Sequence, residues 1–193
     1  MSIKLHFTPW IGDHFHVDNS QKLLLLGESH YVNEKEANES DFTKNIIKYA
    51  RDTGDERSDF FRAIVKLMNQ QNNSNFWNEV AFGNLIQRGF RNSGEQPTQA
   101  DYTSVKKVFE QMVKEIQPKK IIIFSKRIWD YHLGEQGFEK IQSPEPLLQD
   151  VFWYTQENQR YLTMGTWHPS SIYVRNNKQK ATELIRAFMQ YSM

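Results

Sequence analysis

Lys22-Leu23-Leu24-Leu25-Leu26-Gly27-Glu28-Ser29-His30-Tyr31 is the stretch from which the fold can be read. Four consecutive leucines have the unbroken apolar character of a parallel strand covered on both faces, rather than the alternation of a half-exposed one. Gly27 ends the run, and four reactive side chains follow it. In open α/β sheets ligands sit just beyond the carboxyl ends of such strands, so this tip is a candidate site. Taken alone, the stretch fits a core strand running into an ordinary polar loop equally well.

The neighbouring sequence extends the same pattern. Val105, Val108, Phe109, Met112, Val113 and Ile116 recur at helical spacing up to Pro118. Lys119-Lys120 then lead into Ile121-Ile122-Ile123-Phe124, a second continuous apolar strand, and Ser125 is placed to cap a short helix running to about Leu133 before Gly134. Helix, apolar strand and helix in immediate succession are the alternation of a parallel α/β sheet.

Earlier in the chain, the pattern predicts a helix from Asp41 to about Arg51, ended by Gly54, and another over about 57–70. A polar loop is expected at Asn69–Asn75, then a short strand near 79–83 with Asn84 at its carboxyl end. Downstream of a loop containing Pro144 and Pro146, residues 150–155 and 160–165 read as strands about a turn at 157–159. A last helix is capped at Asn176 or Asn177, and residues 3–19 read as an irregular arm. The expected architecture is a three-layer α/β/α sandwich with a short, mostly parallel central sheet.

One domain spanning 1–193 is expected, because 193 residues fill one core and no long linker interrupts them. The longest apolar runs are four residues, far short of the ~20 needed to cross a bilayer, and the N-terminus lacks the layout of a signal peptide. A cytoplasmic protein without membrane contact is the expectation. The absence of cysteine excludes disulfides, thiolate nucleophiles and Cys-held iron–sulfur clusters. A net charge of +1 gives no global field for nucleic acid, so any such contact needs a local patch. His14 and His16 would share a face of a strand but have no third ligand nearby, so no metal site is predicted.

Three strand ends carry groups suited to one pocket: Glu28-Ser29-His30-Tyr31, Asn84, and His168-Pro169-Ser170-Ser171. An asparagine amide both donates and accepts, as reading a nucleobase edge requires. A histidine can donate a hydrogen bond to a developing anion. In this order the motifs resemble the uracil-DNA glycosylase superfamily, over most of the chain. The resemblance implies base flipping, DNA repair by hydrolysis of an N-glycosidic bond, single- or double-stranded DNA or a nucleobase-containing ligand as partner, and no cofactor.

Carried over by position, His168 would stabilise the departing base and Glu28 or Ser29 would position water. Tyr31 would guard the pocket, Phe42 would stack on the base thirteen residues after Ser29, and Asn84 would read it. Ser170 and Ser171 would contact DNA, Ile172 would stand where a wedge enters the stack, and Arg175 would meet phosphate. The catalytic aspartate of the best-known branch is replaced by Ser29, and the proline after it by His30. A member that binds a base without cleaving it is therefore the alternative. Gly27-Glu28-Ser29-His30 also resembles the start of the erythromycin esterase group, in which Glu28 and His30 would hydrolyse an ester, with the spacing off by one.

Overall fold

The structure, a computed structural model, describes residues 3–17, 21–55, 58–68, 73–92, 94–133, 136–143, 145–148 and 150–191. The leucine run forms β2 (Leu23–Gly27), buried at every position. Leu23 and Leu25 point into one core and Leu24 and Leu26 into the other. β4 (Lys120–Ile123) divides in the same way, Ile122 to the first core and Ile121 and Ile123 to the second. A continuous apolar run is what a strand with two covered faces requires.

α1 (Phe42–Thr53), α2 (Asp59–Leu67) and α3 (Asn73–Glu79) cover the first face, together with α6 (Ile172–Asn176) and α7 (Lys178–Gln190). α4 (Gln99–Ile116) and α5 (Lys126–Tyr131) cover the second. The fold is thus α/β with helices on both faces of a sheet. α4 starts six residues before its first buried position, Val105, because Thr98 and Asp101 form a reciprocal capping box. α1 stops where Gly54 takes the left-handed conformation, φ 69°.

Among the described residues the sheet has seven strands in the order β1-β3-β2-β4-β7-β6-β5. The middle four, β3 (Val80–Asn84), β2, β4 and β7 (Gln159–Gly165), are parallel. β1 (Trp10–Ile11), β6 (Val151–Gln156) and β5 (Phe138–Lys140) add antiparallel margins. The sheet is therefore wider and more mixed than the short, mostly parallel one expected. β1 and β5 are too brief to leave a periodic signal, and β1 lies inside the arm read as irregular.

One further expectation is corrected, and one short helix is added. Asn73–Asn75, read as loop, open α3, whose Phe76 and Trp77 are buried in the first core; Asn69–Asn72 of the same run lie outside the described residues, as do Gly134 and Pro144. Ser171 caps a separate short helix, α6, before Asn177 begins α7.

The chain leaves β2 for β3 on one side, and α4 carries it back across to β4 on the other. The crevice opened by such a reversal lies between the carboxyl ends of β2 and β4. Register brings the other ends level with it, since Gly27 pairs Asn84, Leu26 pairs Ile123, and Ile123 pairs Gly165. No described helix is long and apolar enough to cross a membrane.

Candidate base-binding cavity

A cavity of about 430 Å³ opens at this edge. Its lining includes Glu28, Ser29, Tyr31, Phe42, Asn84, His168 and Ser170, so seven of the ten predicted site residues meet there. Ser171, Ile172 and Arg175 do not line it. Ser171 caps α6 by accepting the Val174 N–H at 3.3 Å, and Ile172 and Arg175 are exposed on that helix.

Asn84 is the most enclosed polar group of the cavity, 2 % exposed at the end of β3. Its side chain makes no hydrogen bond to any described residue. Gly27 makes room for it: a Cβ there would lie 2.2 Å from Asn84 Oδ1. The Asn84 amide faces the cavity, so a ligand there meets a donor and an acceptor that no described residue engages.

His168 packs on Phe60, ring centroids 4.8 Å apart. The Ser170 backbone N–H points at its Nδ1 at 3.3 Å, and the Ser170 hydroxyl lies 3.0 Å from the same nitrogen. A backbone N–H only donates, so Nδ1 accepts and the neutral ring carries its proton on Nε2. Burial lowers the His168 pKa below the ordinary histidine value, and the Glu28 charge opposes that shift less strongly. The result is a neutral imidazole with an Nε2–H donor. Ser170 is thus the residue that sets the tautomer.

The tip of β2 is more committed than its sequence suggests. The Glu28 carboxylate accepts from Ser125 Oγ at 2.7 Å and forms an ion pair with Arg127, tying the end of β2 to the end of β4. Ser29 Oγ donates to the Arg88 carbonyl at 2.7 Å. His30 is buried with Nε2 2.7 Å from Thr43 Oγ1, and desolvation takes its pKa down to about 3, so it is a neutral structural group. Phe90 N–H donates to the His30 carbonyl and Val32 N–H to the Phe90 carbonyl, both at 2.8 Å. These bonds continue the β2–β3 ladder past the strand ends. Tyr31 pairs with Phe90 by its backbone and leaves its side chain exposed at the rim.

The walls are aromatic. Phe42 packs against His30 with centroids 5.0 Å apart, while Phe60, Phe82 and Phe90 line the same space. The sequence pattern singles out neither Phe60, which falls within the helix expected over about 57–70, nor Arg127. The signal for Arg127 was its position, three residues past Phe124 at the end of an apolar strand, the counterpart of Glu28 after the leucines. Among the described residues no cluster of three or more His, Asp or Glu side chains is arranged to hold a metal ion.

No family model matches this chain, and no curated protein does. The chemistry of the cavity is therefore read from its geometry. A flat heterocycle between aromatic walls would meet two kinds of polar group, an amide that donates and accepts and an imidazole N–H that donates.

Proposed function

We propose that the protein is a divergent DNA glycosylase of the uracil-DNA glycosylase type, which takes a flipped uracil or other deaminated base into this cavity and hydrolyses its N-glycosidic bond. The observation that carries the reading is the pairing, in one aromatic cavity, of the unpartnered Asn84 amide with an imidazole held as an Nε2–H donor. Asn84 reads the polar edge of the base. Breaking the bond leaves an oxocarbenium-like sugar and a negative charge on the base, to which His168 donates. A pocket donor of this kind lowers a barrier by ~3–4 kcal/mol.

Water then adds to the sugar cation and releases a proton, which neutralises the departed base anion. Neither Glu28, held by Arg127 and Ser125, nor Ser29, whose proton is given to Arg88, is a free base for that water. The other carboxylate of the lining, Asp59, is exposed and paired with Arg62 at 3.4 Å, so catalysis rests on leaving-group stabilisation and on positioning.

The same two commitments favour a second reading, in which the cavity binds a nucleobase without cleaving it. The ester hydrolase is disfavoured as well, since Glu28 is held by Arg127 and Ser125 and His30 by Thr43. Incubation with single- and double-stranded oligonucleotides carrying uracil, hypoxanthine or xanthine separates the readings. Abasic product that disappears with His168→Ala supports the glycosylase. Saturable binding of the base without product supports the binding protein, and neither product nor binding refutes both.

A further inference from the structure

The loop that carries His168 and Ser170 into the cavity turns a second, aromatic surface outward. Trp167 and Tyr173, on either side of that loop, are 42 % and 40 % exposed and pack together, with ring centroids 4.8 Å apart and planes 31° from parallel. Both line a groove of about 290 Å³ that is separate from the base cavity. Contiguous exposed apolar surface is characteristic of interaction sites and binding grooves.

The charge along this segment is one-sided. From Trp167 to Thr182 the chain carries Arg175, Lys178 and Lys180 and no Asp or Glu, although the whole protein has a net charge of only +1. None of these three cations has a carboxylate partner among the described residues. Lys180 lines the groove with Lys126, which is paired with Asp130, and one carboxylate, Asp150, lines it too.

We propose that Trp167 and Tyr173 form a stacking platform for an unpaired nucleic-acid strand, with its phosphates on Arg175, Lys178 and Lys180. Single strands are held in this manner, by aromatic faces for successive bases and cations for the backbone. In a duplex the base faces are already covered by their neighbours. The inference rests on the reading of the cavity as a nucleobase site, because it makes the platform the seat of nucleotides flanking the one that is bound. It then follows that the substrate is single-stranded or locally opened DNA.

The test is fluorescence anisotropy of a labelled, unmodified thymidine oligonucleotide and of the matching duplex. Trp167→Ala and Tyr173→Ala should each weaken single-strand binding about tenfold, with Trp167→Phe retaining most of it and circular dichroism unchanged. Lys178→Gln with Lys180→Gln should reduce the slope of log affinity against log salt by about 1.4. Unchanged affinity in the Trp167→Ala/Tyr173→Ala double variant overturns the proposal. Binding of duplex as tightly as single strand, or displacement by polyglutamate irrespective of Trp167, does so equally. The unmodified strand separates this outcome from the fate of the glycosylase reading. Platform-dependent binding without base release leaves the platform standing, and base release unaffected by Trp167→Ala removes the platform alone.

Discussion

Gly27→Ala tests whether the Asn84 amide is the group that reads the ligand. The glycine lies in a strand with ordinary backbone angles, so alanine is conformationally acceptable there and even narrows the unfolded ensemble, by about 0.4–1 kcal/mol. The obstacle is steric. The new Cβ would stand 2.2 Å from Asn84 Oδ1, 3.2 Å from Phe82 Cζ and 3.3 Å from Phe60 Cζ. The two ring contacts are tight but tolerable, whereas the first must open by roughly 1.2–1.8 Å to reach an ordinary van der Waals distance. A terminal amide can swing to provide that space, so the folded state should lose no more than about 1 kcal/mol, at the low end of overpacking costs. Ligand affinity should fall far more. A displaced amide forfeits its pair with the base, about 1–3 kcal/mol or about 5- to 150-fold in Kd. Urea denaturation gives the first quantity, and titration with a uracil-containing oligonucleotide or free uracil gives the second. In the Asn84→Ala background, Gly27→Ala should cost almost nothing further in binding. Wild-type affinity in Gly27→Ala, or a full additional loss in the Asn84→Ala background, would refute the role given to Asn84.

Four other outcomes follow from the same geometry. Because His30 titrates near pH 3 when folded and near its ordinary value of 6.5 when unfolded, the unfolded chain alone holds the extra proton between these values. Stability should therefore decline as pH falls through that window, by up to about 1.4 kcal/mol per pH unit, and His30→Asn should flatten the decline in urea titrations at stepped pH. His168→Ala should slow base release by about 100- to 1,000-fold in single-turnover assays, and wild-type activity should persist into acid below the ordinary histidine pKa before it falls. Glu28→Gln should leave the rate of base release near wild type, whereas a working carboxylate base would lose on the order of 100-fold. Lys120→Met should lower unfolding free energy by about 2–3 kcal/mol in chemical denaturation, because the buried Lys120 ammonium donates to the carbonyls of Phe188, Met189 and Tyr191 at the end of α7.

What was legible in the sequence follows the range of the interaction that determines it. β2, β4 and α4 are declared by local pattern, since an unbroken leucine or isoleucine run and a helical stripe need no distant partner to be recognised. α3 was hidden because its first turn is polar and its helical state depends on burying Phe76 and Trp77 in a core built by other elements. Burial of His30 against Thr43 is likewise a tertiary fact.

The tip of β2 makes the same point chemically. As a string, Glu28-Ser29-His30-Tyr31 offers a base, a nucleophile, an imidazole and a phenol. In the fold, three of the four have protein partners thirteen or more residues away: Arg127 and Ser125 for Glu28, Arg88 for Ser29, Thr43 for His30. Reactivity depends on what remains uncommitted, and that lies elsewhere, in the Asn84 amide and the Nε2–H of His168. On the proposed reading, a site with a base-reading amide and an anion-stabilising donor, whose carboxylates Glu28 and Asp59 are paired with Arg127 and Arg62, assists departure of the base more than attack by water. Its substrates should then be bases that leave readily as anions, so deaminated bases should be released ahead of adenine and cytosine, in the order of their N–H acidity.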